Sequence, residues 1–297
     1  MTAVSREGDS AKAIYTVEQL SDRDEIRAML SQERAYSAYA LAQLDQRTFY
    51  DAEWVLSRGS DGEQALLVHS YGGLGPALFA IGDPAALDVA MGLHPGARFS
   101  FGSLRMEHRP VVEKHYAISR PRTMQRMQVT AESFHPVHGP AVRLESGDLS
   151  LINKLYSQEG TATAYRAEHL EHAVYCGAFV GGQLVAIAGT HTFSRSQRVA
   201  VVGNVYTHPE YRGRGMATAA TSAVTAELVR SCDLVVLTVE ADNSPALAVY
   251  EKLGYEYVCN MHETPLVRKE PVGVLSFARR TMATWRGRKV GKEVVIR

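Results

Sequence analysis

The chain has 297 residues, 45% of them hydrophobic and 22% charged, with a formal net charge of zero. This is an ordinary composition for a globular protein of one or two domains. It holds no apolar run of eighteen residues, and residues 1–10 lack an apolar signal core, so no membrane span and a cytoplasmic location are expected. The charge is uneven: residues 267–297 carry 9 basic and 2 acidic residues, and the body before them is mildly acidic.

Residues 22–44 read as a helix, because Ile26, Met29, Leu30, Ala40, Leu41 and Leu44 recur at helical spacing. Strand-like runs follow at 53–56, 65–71 and 77–81, and a wide turn at 71–76 joins the last two. Residues 84–91 predict a short helix. Residues 106–119 and 124–130 read as strands or linking segments. The segment 135–140, with two prolines and a glycine, interrupts any regular element. The expected organisation is therefore an α/β domain over 1–136, a second domain over 137–267 and a basic tail over 268–297.

In the second domain, 141–144 predicts a strand, Asp148 an N-cap for a helix at 149–157, and 165–173 another helix. Residues 174–180 and 183–191 predict a hairpin around Gly181-Gly182. Next comes an apolar run at 199–205, then Arg212-Gly213-Arg214-Gly215-Met216-Ala217, then an alanine-rich helix former over 216–230. Strand, glycine turn and helix in that order bring free backbone N–H groups and a helix N-terminus to one point, which suits a phosphate. Gly213 and Gly215 let the backbone approach an anion closely, and Arg212 and Arg214 surround it with positive charge. The dinucleotide fingerprint does not fit, since Thr218 stands where its third glycine belongs, and no Gly-Lys-Ser or Gly-Lys-Thr of a nucleotide P-loop occurs.

About thirty residues on, 233–240 predicts a buried strand. Asn243 opens the following segment, with Ser244 as the expected N-cap, Pro245 as the first helical residue and Gly254 at the left-handed C-terminal position. Ala246 and Tyr250 are four apart and share a helix face. Cys176, Cys232 and Cys259 are odd in number and lie in or beside strand-like runs, so they read as reduced, buried residues and not as a disulfide frame or a metal site.

The spacing Arg212-x-x-Gly215-x-Ala217, followed by a strand, Asn243, a Tyr250 helix and Leu253-Gly254-Tyr255, resembles the GNAT superfamily of acyl-CoA-dependent N-acetyltransferases over about 141–266. The resemblance implies an α/β (α+β) fold. Its central mixed, mostly antiparallel sheet is splayed between two parallel strands and flanked by helices. The N-terminal domain would be a degenerate GNAT-like one, a two-domain plan similar to the glycine N-acyltransferase type.

It also implies acetyl-CoA, or another acyl-CoA, as co-substrate, lying in the splay between the strands that end near Thr207 and Glu240. Val205 and Thr207 would meet the acyl and pantetheine groups through their main chains. The main chain of Gly213, Arg214, Gly215, Met216 and Ala217 would hold the pyrophosphate beside Arg212. Asn243 and Ala246 would line the arm. The Val205 N–H would polarise the thioester and Tyr250 would protonate the thiolate. For the base, Glu240, His191, His208 and a water chain all stand open, because the 199–205 strand carries no acid.

The acceptor would be a small amine, an amino acid or a protein amino group. A non-catalytic acyl-CoA sensor, or an adaptor acting through the N-terminal domain or the tail, is the alternative. The tail predicts a basic helix over 274–290, with Leu275, Ala278, Met282 and Trp285 on one side. It is expected to bury that side on its own domain, and nucleic acid is not an expected partner. A homo-oligomer is compatible with the sequence.

Overall fold

A computed structural model of the protein describes residues 14–72, 75–159, 165–270, 274–275, 277–278, 281–282 and 294–296. In chain order the strands are β1 (Tyr15–Gln19), β2 (Ala52–Gly59), β3 (Gln64–Ser70), β4 (Ala77–Gly82), β5 (Phe99–Arg105), β6 (Tyr116–Ile118), β7 (Arg122–Val129), β8 (Ala141–Arg143), β9 (Tyr175–Val180), β10 (Gln183–Ser194), β11 (Val199–Thr207), β12 (Leu234–Glu240), β13 (Glu256–Arg268) and β14 (Val294–Ile296). The helices are α1 (Arg23–Leu30), α2 (Ala38–Ala42), α3 (Pro84–Leu93), α4 (Arg109–His115), α5 (Leu149–Tyr156), α6 (Ala167–Glu171), α7 (Met216–Leu228) and α8 (Ser244–Lys252). Most of the basic helix expected at 274–290, Trp285 included, lies outside the described residues.

The chain divides into two compact units. One comprises Met1–Asp22, Glu53–Arg120 and Thr264–Arg297, the other Arg23–Ala52 and Pro121–Glu263. The segment 135–140 lies inside the second unit. In the first unit the strands run β14-β1-β2-β3-β4-β5, and β6 pairs with the end of β13. Its β3 and β4 form the expected antiparallel pair, and β4 and β5 run parallel over Ala77–Phe79 and Phe101–Ser103. Helix α3 starts at a genuine cap: the Asp83 carboxylate accepts from the N–H groups of Ala85 and Ala86.

In the second unit the order is β13-β7-β12-β11-β10-β9-β8. The β11/β12 pair is parallel, and the other neighbouring pairs are antiparallel. One face of this sheet packs against α7 and α8, whose Ala220, Val224, Leu228 and Tyr250, with Leu253 just past α8, meet Ala200, Val202, Val235, Leu237 and Val239. The other face packs against α5 and α6 through Ile152, Leu155 and Leu170, which meet Tyr175, Leu184 and Ile187. Alternate residues of a strand face opposite ways, so α7 on one side of β11 and α2 on the other explain why Val199, Ala200, Val201 and Val202 are all apolar and buried.

Four local expectations change. The helix over 22–44 is broken between α1 and α2. Ala35, Tyr36, Ser37 and Ala38 are all buried, and four consecutive buried residues cannot share one face of a straight helix. Residues 106–119 hold a 3-10 turn, α4 and the short β6, because Pro110 favours a helix start and Val111 and Val112 bury one side of it. Asp148 stands at the N-cap position of α5 as expected, but its carboxylate makes no cap bond there; it accepts from the Glu145 N–H and closes the preceding 3-10 turn. The N-cap of α8 is Asn243, whose Oδ1 accepts from the Ala246 N–H, and Ser244 is already helical. The three cysteines are free and buried. Among the described residues no helix is long and apolar enough to cross a membrane.

Candidate functional site

The parallel strands β11 and β12 stay paired from Val199 and Leu234 to Val202 and Leu237, and then part. Both strands continue, β11 to Thr207 and β12 to Glu240, each held on its outer edge by β10 or β7. The cause lies in β11. Ile187 pairs with Tyr206 and Gly189 with Gly203, so Asn204 and Val205 together face the single Ala188. This is a β-bulge, which bends its strand and increases its twist. Asn204 sits at φ +53, a left-handed conformation that asparagine tolerates better than most residues.

Beyond the splay stands the glycine turn. Gly213 and Gly215 have φ of +73 and +77, and a Cβ at either would meet nothing within 4 Å. Arg212, Gly213, Arg214 and Gly215 are all exposed. Helix α7 begins at Met216 with Gly215 as its N-cap and no side-chain cap bond. No side chain therefore caps the first-turn amides of this thirteen-residue helix, and the positive end of its dipole lies behind them. Arg214 stacks over Tyr211 at 5.3 Å, and the Arg212 Nε donates to the Thr207 carbonyl at 3.2 Å. The turn thus offers uncapped amides and two arginines to an anion.

On the α7/α8 face, Tyr250 is buried and packs edge-on to Tyr255, with ring centroids 6.0 Å apart. Its hydroxyl hydrogen-bonds to none of the described residues. Burial pushes its pKa up to about 12, which keeps it a proton donor at neutral pH. Asn243 and Ala246 lie one turn earlier on the same helix entry.

The opposite face carries a network that no spacing rule foretold. Asn204 Nδ2 donates to the Tyr175 hydroxyl at 2.8 Å, and its carbonyl accepts from the Tyr156 hydroxyl at 2.5 Å. Its Oδ1 lies 3.1 Å from His191 Nε2, and His191 Nδ1 lies 2.6 Å from the Tyr39 hydroxyl. An amide oxygen only accepts, so His191 carries its proton on Nε2, and Nδ1 accepts from Tyr39. His191 keeps solvent access, yet desolvation lowers its pKa below the usual histidine value; Asn204 opposes the shift and Arg126 adds to it. Two glycines make room for these rings. Gly189 and Gly203 face each other across β10 and β11; a Cβ on the first would strike Tyr175, and on the second His191. Tyr156, Tyr165 and Tyr206 add an aromatic wall, with centroids of the first pair 5.0 Å apart.

Of the other base candidates, Glu240 is ion-paired to Arg122 at 2.7 Å, and His208 caps its own turn by accepting from the Glu210 N–H. Asn204 has a sequence signal, a glycine and an asparagine inside an apolar strand. Tyr39 and Arg126 have none, because only the fold brings them here.

Residues 146–255 match the model of the Acetyltransferase (GNAT) family. Among solved structures, the chain is similar to a Drosophila protein (13% identity over 84% of this chain and 98% of that one, TM-score 0.59). It is also similar to a GCN5-related N-acetyltransferase from Sphaerobacter thermophilus (13% identity, 86% and 96%, TM-score 0.53). A third is a tandem GNAT protein from the clavulanic acid biosynthesis pathway (12% identity, 86% and 98%, TM-score 0.51). At these identities the likeness is one of fold, and it takes in the N-terminal region as well as the matched domain.

Proposed function

We propose that this chain, which carries a GNAT-family acetyltransferase domain at residues 146–255, transfers an acyl group, most simply acetyl, from acyl-CoA to a primary amine. The observation that carries the reading is the splay of β11 from β12 beyond Val202 and Leu237, next to the exposed, side-chain-free N-terminus of α7. The pyrophosphate binds the amides from Gly213 to Ala217, between Arg212 and Arg214. The pantetheine arm follows the main chain of Val205 and Thr207 and meets Asn243, whose Nδ2 is not used by the helix cap, and Ala246.

In the reaction a neutral amine attacks the thioester carbonyl. The Val205 N–H stabilises the oxyanion as the C–N bond forms. The C–S bond then breaks, and Tyr250 donates its proton to the thiolate. The proton of the incoming ammonium passes to a base. His191 suits that role better than Glu240, which is held by Arg122: its lowered pKa leaves it neutral at pH 7, and the Tyr39 hydroxyl relays the proton, giving its own to His191 Nδ1 as it takes one from the amine. Holding both substrates in one cleft supplies much of the rate by orientation. The sensor or adaptor alternative draws no support from this geometry. The free, buried cysteines suit a cytoplasmic location.

Titration calorimetry with acetyl-CoA, followed by thiol release with a panel of amines, tests the reading. Saturable binding that Gly215→Glu removes, and amine-dependent thiol release, are expected. An absence of binding at millimolar acetyl-CoA overturns it.

A further inference from the structure

Arg126 is one of the largest fully buried side chains of the protein, with 1% of its surface exposed. Its Nε and Nη1 are buried and have no hydrogen-bond partner. A permanently charged guanidinium with idle buried donors is costly, and native interiors rarely keep one without use. Among the described residues it forms no ion pair. Glu263 feels its charge but forms no ion pair with it, and desolvation raises the Glu263 pKa toward the neutral acid. Thr238, directly opposite Arg126 in the β7/β12 register and so on the same face of the sheet, also has a buried hydroxyl without a partner. One cation and one hydroxyl, both idle and adjacent, make a receptor for a small monoanion.

The position of this pair says which substrate it serves. Thr238 is the first β12 residue beyond the last β11 pairing at Leu237, so it stands at the mouth of the splay. The Arg126 guanidinium lies 5.4 Å from the centre of the Tyr39 ring. The Tyr39 hydroxyl bonds His191, and His191 bonds Asn204, the neighbour of Val205. An anion site and the candidate base are thus separated by one tyrosine ring.

We infer that Arg126 and Thr238 receive the carboxylate of the acceptor, and that the acceptor is therefore an amino acid whose amine lies toward His191 and Val205. This rests on the acyl-transfer reading given above and narrows its acceptor class. A guanidinium and a hydroxyl can both donate to one carboxylate, and neither offers anything to a bare alkylamine. A site whose buried donors would be left unpaired discriminates strongly against an analogue lacking the group.

The test compares the twenty amino acids with their decarboxylated amines, such as glycine with methylamine and phenylalanine with phenylethylamine, in thiol release from acetyl-CoA. Acetyl-CoA binding is measured separately by calorimetry. At least one amino acid is expected to exceed its decarboxylated partner by about 100-fold or more in kcat/KM. Arg126→Gln should bring that ratio close to one through the acid's KM, with acetyl-CoA affinity unchanged, and Arg126→Lys should restore part of it. If Arg126→Gln does not fold, as judged by circular dichroism, Arg126→Lys and Thr238→Val carry the same comparison, each lowering the ratio. The inference is overturned if acetyl-CoA binds and simple amines are used as well as or better than the acids, or if none of the twenty acids is used. Survival of the full preference in the folded variants overturns it too. Those outcomes leave acyl transfer standing, whereas failure to bind acetyl-CoA removes both.

Discussion

Tyr250 is the side chain at which chemistry separates most cleanly from fold. Its ring is buried in the α7/α8 layer, but its hydroxyl bonds no described neighbour, so removing that oxygen leaves the packing intact. Tyr250→Phe is expected to lower kcat by about 100-fold or more, the usual worth of a positioned acid, with the melting temperature and acetyl-CoA affinity unchanged. Steady-state kinetics beside calorimetry checks this, and an unchanged kcat would remove the residue from the mechanism.

His191 adds a pH signature. As the proposed base it must be neutral, and desolvation with the nearby Arg126 charge lowers its pKa against the pull of Asn204. kcat/KM should therefore be flat through neutrality and fall only on acidification below the usual value of about 6.5. Arg126→Gln, by removing a repelling charge, should move that limb upward. The same shift has a stability sign. The unfolded histidine takes up a proton near pH 6.5 that the folded one refuses, so stability is complete above that pH and declines as pH falls toward the folded value. His69 and His108, also lowered by burial, act in the same direction. Thermal melts at pH 7.5 and 5.5 should show the lower melting temperature at 5.5.

The strand, turn and helix from Val199 to Leu228, and the strand and helix from Leu234 to Lys252, were legible because each rests on local signals: apolar runs, glycines and proline placement. The bulge at Asn204 and Val205 was not read, since a bulge exists only relative to a partner strand. The cap of α8 falls on Asn243 and not on the expected Ser244 because both are good caps, and local sequence does not choose between them. Gly254 takes the left-handed C-terminal position its place after Leu253 predicts, and the fold makes it doubly necessary. It has φ +86, and a Cβ would lie 1.9 Å from the Ser133 carbonyl oxygen. There the chain of 133–135 lies against the end of α8, with the His135 N–H donating to Leu253. Gly254→Ala should cost more than the roughly 1–2 kcal/mol of a left-handed backbone alone, because the overlap adds to it. Urea unfolding should show a lower midpoint with an unchanged slope; a shift of a few tenths of a kcal/mol would mean that the 133–135 segment yields freely.

The division of the chain was the least legible feature. A boundary signal such as 135–140 records where regular structure is interrupted, but not what the interrupted segment packs on. Here Val137 donates its N–H to Ser222 on α7, and β7, which precedes the signal, fills the slot between β12 and β13. Arg23–Ala52 joins the same unit and brings Tyr39 to His191. Such pairings are long-range, and neither composition nor periodicity encodes them. The likeness of the N-terminal region to GNAT structures raises the question of a second cofactor site, and its own elements answer it. The parallel β4/β5 pair and the turn into α3 repeat the order of strand, glycine and helix, with Gly82 at φ +106. The residue after that glycine is Asp83, whose carboxylate already occupies the amides of Ala85 and Ala86 and meets an approaching phosphate with like charge. No arginine stands in that turn. Calorimetry should therefore find one acetyl-CoA per chain, and Gly215→Glu should remove all of it. Asp83→Ala should cost about 1 kcal/mol of stability through the lost cap and leave the stoichiometry at one. Two sites in the native chain, or a residual site in Gly215→Glu, would show that the N-terminal unit still accepts an anion in spite of its built-in carboxylate.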